Sequence, residues 1–273
     1  MKKLLALMLV LFLTVVLVAG CGGSQNNQQG QQEEQQQEQG GQEQQQAAYE
    51  DGTYYAEEKE FSQQGWKGVM TVIVKDGKIT NVFYDEVNQE GKLKSFDPEY
   101  GPRMKEKSGT TPVEAFAKLE QSLIDKQDPE AVDTVTGATH TSEAFKALAA
   151  EALKGSPVQA TGGLKDGIYK AAEADFDDHG WKAMAAIVVK DGKIQSAFFD
   201  EINKEDGHYK SVDEDYAKRM EASSGQTPAK AAEALTKSLV EKQDVNQVDA
   251  VSGATGTSNK FKTLMNEALS LAK

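Results

Sequence analysis

Val and Ile crowd the stretch from Gly68 to Val74, and alternation of apolar and polar residues resumes from Ile79 to Tyr84. Between them stands Asp76-Gly77, the dipeptide of a two-residue hairpin turn, so two antiparallel strands are predicted. The pattern returns as Ala185 to Val189, Asp191-Gly192 and Ile194 to Phe199. A helix is predicted from Thr111-Pro112-Val113-Glu114, with Thr as N-cap, Pro at the first helical position and Glu completing a capping box. Its counterpart at Thr227-Pro228 keeps the cap and the Pro but has Lys230 in place of the Glu. A last helix carries an apolar face of Phe145, Leu148, Ala152 and Leu153, matched by Phe261, Leu264, Ala268 and Leu269. The fold class is therefore α+β: an antiparallel sheet with packed helices, used twice.

The two halves are an internal duplication. Residues 51–90 and 166–205 are identical at 20 of 40 positions, and Trp66 aligns with Trp181. One extra residue near Asp206 shifts the offset from 115 to 116, and the match then runs to the end of the chain. Copies of about 105 residues are the size of independent domains and longer than solenoid repeats. The domains are placed at 49–156 and 164–273, joined through the Gly/Pro-containing segment from Gly155-Ser156-Pro157 to Gly162-Gly163.

The first 48 residues read differently. Met1-Lys2-Lys3 precedes a nearly unbroken apolar run from Leu4 to Val18, shorter than the ~20 residues of a spanning helix. Val18-Ala19-Gly20-Cys21 resembles a bacterial lipobox, which implies a signal peptide over 1–20, lipid on the Cys21 thiol and a folded part on the extracytoplasmic face of the cell membrane. An uncleaved anchor helix is the other reading. Residues 21–48 are Gln, Glu, Gly and Asn with almost nothing apolar to bury, so a disordered linker is expected. As a flexible coil of ~25 residues it spans roughly 25–30 Å root-mean-square.

The formal net charge of −13 and the lack of a basic patch argue against nucleic acid as a partner. A single cysteine excludes an intrachain disulfide and a multi-Cys metal site.

The candidate chemistry lies in a nine-residue string written twice. Asp133-Thr134-Val135-Thr136-Gly137-Ala138-Thr139-His140-Thr141 recurs as Asp249-Ala250-Val251-Ser252-Gly253-Ala254-Thr255-Gly256-Thr257, each running into the last helix of its copy. Such a turn presents a Thr hydroxyl where unpaired backbone N–H groups and the helix dipole favour an anion. Both strings resemble the (S/T)-G-A-T acceptor motif of FMN-binding domains. The resemblance implies two FMN groups, covalently attached through phosphate to Thr139 and Thr255. It also implies a flavin transferase as partner, with FAD as donor and AMP leaving. Thr136, Gly137, Ala138 and Ser252, Gly253, Ala254 would form the turn; Asp133 and Asp249 match the family pattern. His140 faces Gly256 in the alignment, so no base is common to both copies, and activation of the hydroxyl must come from outside. Thr141 and Thr257, or Ser142 and Ser258, are the expected N-caps, and Gly137 and Gly253 are expected to let a phosphate approach the backbone. A plain cap and turn without a flavin is the alternative.

Trp66 and Trp181 are candidates to stack on a flavin ring, or to pack in the core. His140, His179 and His208 have no counterparts and read as surface residues. The repeated Asp85-Glu86 and Asp200-Glu201 read as solvated strand ends, with a metal or partner surface as the other possibility.

Lipobox, Gln-rich tether and paired motifs together resemble the flavinylated lipoproteins of extracellular electron transfer. That resemblance implies a carrier between a membrane quinol-oxidising donor and an extracellular acceptor such as ferric iron, not a self-contained enzyme. A flavin-dependent reductase component and a lipid-anchored, non-redox ligand-binding module are the competing classes.

Overall fold

The computed structural model describes residues 49–273; the signal-peptide and linker readings, Cys21 included, fall outside them. The first repeat runs β1 (Gly52–Glu57), β2 (Trp66–Lys75), β3 (Lys78–Asn88), α1 (Tyr100–Ser108), α2 (Pro112–Lys126) and α3 (Thr139–Lys154). The second repeats the order as β4 (Gly167–Ala172), β5 (Trp181–Lys190), β6 (Lys193–Asn203), α4 (Glu214–Ser224), α5 (Pro228–Lys242) and α6 (Thr255–Leu271). Each sheet is antiparallel with strands in chain order.

Local chemistry sets these elements. Asp76 and Gly77 both take positive φ, 53° and 69°, as a type I′ turn requires. The Asp51 carboxylate fastens that turn by accepting from the N–H groups of Asp76 at 2.9 Å and Gly77 at 2.7 Å. The capping box forms as expected: Glu114 N–H donates to Thr111 Oγ1 at 3.1 Å, and Thr111 N–H donates to the Glu114 carboxylate at 2.9 Å. Glu114 also holds Lys105 at 2.6 Å. The second copy inverts that pair, with Lys230 bound to Glu221 at 3.0 Å.

α2 and α3 cover one face of the first sheet, burying Phe116, Leu119, Phe145 and Leu148 against Met70, Val72 and Tyr84. Leu153, expected on that face, is only half-buried, and Ala149 takes the inward position one turn after Phe145. α5 and α6 cover the second sheet in the same way, with Leu235, Leu239, Phe261 and Met265 inside.

The other face of the first sheet packs against β4 of the second sheet, so the two repeats share a core. Val69, Phe83 and Leu93 of the first repeat share one core with Ile168 and Ala186 of the second. Ile168 N–H donates to Thr71 Oγ1 at 2.8 Å, and Tyr209 Oη donates to the Ser95 carbonyl at 2.6 Å. At the free edge of β3 Lys170 Nζ reaches the Glu120 carboxylate at 2.5 Å and the Tyr84 carbonyl at 2.6 Å, while Tyr84 N–H donates to Glu120 at 2.7 Å. Burial raises the Glu120 and Asp85 carboxyls above their usual range, and the Lys170 ammonium works against that in both. Tyr55 and Thr236 occupy the repeat-related positions, so only one such lock exists among the described residues.

Candidate functional site

Each nine-residue string forms a tight turn closed by its own helix. Ala138 N–H donates to the Val135 carbonyl at 3.0 Å, and Ala254 N–H to Val251 at 3.0 Å. Gly137 and Gly253 sit at φ +82° and +78°, where a Cβ would come within 2.3 Å of the Ser108 carbonyl oxygen and 2.6 Å of the Ser224 carbonyl oxygen. Glycine is thus required by a left-handed backbone pressed on the end of α1 or α4, a reason the sequence did not offer.

The helices start earlier than expected. Thr139 and Thr255 are their first residues, and Ala138 and Ala254 hold the cap positions, with no side chain capping either helix. Ser142 and Ser258 are buried inside the first turn. Their hydroxyls donate back to Ala138 and Ala254 carbonyls at 2.8 and 2.9 Å and accept from Val135 and Val251 N–H at 3.0 Å. Neither they nor Thr141 and Thr257 are N-caps; the serines clamp the turn. α2 and α5, by contrast, are capped by Thr111 and Thr227. The first-turn N–H groups of α3 and α6 are left for an acceptor from outside. Thr139 and Thr255 stand exposed beside them, as do Thr136 and Ser252.

Beside Thr139 lies a cavity of about 420 Å³. Gly137 to Thr141 form one wall; Lys94, Tyr100, Arg103 and Lys107 form the other, over an apolar floor that includes Met104 and Phe116. No carboxylate lines it. Trp66 is not part of this wall. It is 8% exposed and supports it from behind, edge-on to Tyr100 at 5.8 Å and 5.1 Å from Lys94 Nζ. Trp181 holds the same relation to Tyr216 at 5.8 Å and Lys210 at 5.0 Å. Asp133 and Asp249 lie at the entrance of each string with side chains 75% and 95% exposed, paired with Lys126 at 3.8 Å and Lys242 at 3.0 Å.

The acidic pairs are not solvated strand ends. Asp85 and Glu86 are buried because the turn after β3 folds back over them. Glu86 accepts from Lys94 Nζ and from Thr141 Oγ1 at 3.0 Å, which ties the strand end to the site helix. Asp85 accepts from Ser95 N–H at 3.1 Å and from its hydroxyl. In the second copy Glu201 holds Lys210 at 3.1 Å and Lys260 at 2.9 Å. Two histidines are exposed as expected, His140 fully so. His208 keeps 33% of its side chain exposed but is held 5.2 Å from Trp181, between Asp206 at 2.5 Å and Asp213 at 3.2 Å. Burial works to lower its pKa, but the two carboxylates carry it above the usual histidine value.

Asp200 gives a pH test of this architecture. Burial pushes its carboxyl up to about 6 from 3.8, against hydrogen bonds from Ser211 and Glu201 that pull it down. The folded state then binds the proton more tightly than the unfolded one. Its favourable contribution is complete below pH ~4 and is lost as pH rises through 6. Asp200→Asn is therefore expected to raise Tm at pH 7.5 by about 2–5 °C and to change little at pH 4, measured by thermal unfolding.

A family model described as FMN-binding domain matches the chain twice, at residues 65–154 and 180–270. A "15 kDa lipoprotein" of Treponema pallidum (strain Nichols) is 42% identical over 98 residues, 36% of this chain and 70% of that protein. The crystal structure of CPE2226 protein from Clostridium perfringens is 44% identical, covering 40% of this chain and 88% of that one, with a TM-score of 0.39. A solution structure from Clostridium thermocellum is 32% identical over 38% of this chain and 90% of its own, with a TM-score of 0.28.

Proposed function

The chain belongs to the FMN-binding domain family, and from that premise we propose a lipid-anchored, extracytoplasmic electron carrier with one covalent FMN in each repeat, on Thr139 and on Thr255. One observation carries the reading: in both repeats an exposed Thr opens a helix that no side chain caps. In the first, that helix end borders a cationic, carboxylate-free cavity. A phosphate linked to the hydroxyl would meet backbone N–H groups and the positive helix end, and Arg103 and Lys107 line the space beside it. Tyr100, backed by Trp66, offers aromatic surface to a planar ring.

Attachment needs an enzyme. A Thr hydroxyl is a weak nucleophile, and His140 has Gly256 as its counterpart. A flavin transferase would supply the base that takes the hydroxyl proton. The Oγ–phosphorus bond forms, the pyrophosphate bond of FAD breaks, and AMP leaves. Bound FMN supplies one- or two-electron redox chemistry. The protein holds it, shields part of it and keeps it from diffusing away. A membrane quinol-oxidising complex is the proposed donor and an extracellular oxidant such as ferric iron the acceptor. Lipid on Cys21 would provide the anchor.

The test is the intact mass of the chain lacking residues 1–21, exported from cells that co-express a flavin transferase. A gain of two FMN groups less two waters, with colour that survives denaturation, supports the carrier. No gain, with the transferase active on another target, overturns it.

A further inference from the structure

The two sites are not copies of one another in charge. Lys94 and Lys210 are each neutralised by a buried carboxylate, Glu86 and Glu201. Arg103 and Arg219 recur in both repeats, but Lys107 has Ser223 as its counterpart. Lys107 lines the first cavity and has no ion pair or hydrogen bond among the described residues. The other charge changes along the same helix are absorbed locally. Lys105–Glu114 becomes Glu221–Lys230, neutral in both repeats, and Lys218 is held by Glu214 and Asp215 at 3.4 and 3.9 Å. Glu106 does not line the cavity. On the site helices His140, opposite Gly256, faces Glu143 at 3.8 Å; Glu143, opposite Asn259, does not line the cavity; and Lys260, opposite Ala144, is held by Glu173, Asp177 and Glu201. Lys107 is thus the one unpaired Lys or Arg of the first cavity's lining that the second repeat lacks.

We propose that Lys107 sets the first site at a higher reduction potential than the second, so that electrons entering the protein collect on the first repeat. The inference rests on the carrier reading above. FMN takes up two electrons and one proton to give a reduced ring that carries negative charge, and an unpaired cation nearby favours that form. Transfer between repeats is balanced: the flavin of the second repeat is oxidised by two electrons, that of the first is reduced by the same two, and water exchanges the protons.

Thr255→Ala leaves a flavin on the first repeat alone, and Thr139→Ala on the second alone. Spectroelectrochemical titration of both loaded proteins is expected to place the first above the second by about threefold to tenfold in the oxidised/reduced equilibrium, about 14–30 mV for a two-electron couple. Adding Lys107→Ser to the first protein should close the gap, and adding Ser223→Lys to the second should also close it. Lys105→Ser removes the same charge from the same helix away from the cavity and should leave the potential in place. The gap should shrink between about 20 and 500 mM salt, since an exposed charge is screened. Equal potentials in the two loaded proteins, or no shift with Lys107→Ser, overturn the inference while leaving the carrier reading intact. Absence of flavin from both single variants overturns the carrier reading and the inference together.

Discussion

The Thr139→Ala, Thr255→Ala double variant is expected to emerge from co-expression with a flavin transferase colourless after denaturation and at its unmodified mass. Each single variant should keep one FMN. The loss is chemical, because nothing in the fold depends on these hydroxyls. Both residues are exposed, both stand at the first position of a helix, and neither side chain caps it. The turns are clamped by Ser142 and Ser258 instead. Alanine is the best helix former, so the helices should lose no more than about 0.5 kcal/mol and could gain. Equal urea midpoints for the parent and the double variant would separate lost attachment from lost folding. A flavin-bearing peptide recovered from the double variant would remove Thr139 and Thr255 from the assignment.

Lys170→Ala should have the largest effect on stability. The ammonium is the cation that faces Glu120 and Asp85 at the free edge of β3, and it also donates to the Tyr84 carbonyl. The two side chains are 18% and 16% exposed, so stranding the Glu120 charge should cost less than the about 3–5 kcal/mol of a fully buried pair. The deficit should appear as a lower midpoint in urea unfolding. Its pH dependence has a fixed sign. A stranded Glu120 titrates above its unfolded value, so the variant's loss is smallest under acid conditions and grows as pH rises through the folded pKa. Lys170→Met combined with Glu120→Leu removes the stranded charge but leaves the Tyr84 N–H and carbonyl without their side-chain partners, so it should recover only part of the stability. Unchanged stability in Lys170→Ala would mean that the two repeats do not pack on one another in solution.

Features written in short-range chemistry were legible before any coordinates. Asp76-Gly77, Thr111-Pro112-Val113-Glu114 and the spacing of Phe145 and Leu148 each act within a few residues, and the structure places each in the expected element. The opposite wall of the cavity had no such signature. α1 contains Gly101 and Pro102 and no apolar period, so neither a helix nor a site was readable there. A signal did exist: Lys94, Tyr100, Arg103 and Met104 persist as Lys210, Tyr216, Arg219 and Met220 in a stretch where many neighbours differ. Asp85-Glu86 misled because carboxylates at a strand end usually meet water; their partners Lys94 and Ser95 lie beyond the next turn. Ser142 misled by looking like a cap when its hydroxyl points back along the turn it closes. The packing of the first sheet against β4 left a trace in β2, whose outward positions Val69, Thr71 and Ile73 are too apolar for a wet face.

The inverted pair, Lys105–Glu114 against Glu221–Lys230, bears on how a duplicated chain avoids confusing its halves while it folds. Two modules identical at half their aligned positions over 51–90 and 166–205 can trade helices before either is complete, a characteristic misassembly of tandem repeats. A crossed arrangement would set Lys105 against Lys230 and Glu221 against Glu114, like against like at both places. Each exposed contact contributes only about half a kcal/mol, but the two penalties arise together and only in the crossed form. Opposite polarity at this one contact thus disfavours the crossed pairing of helices by about 1 kcal/mol in all.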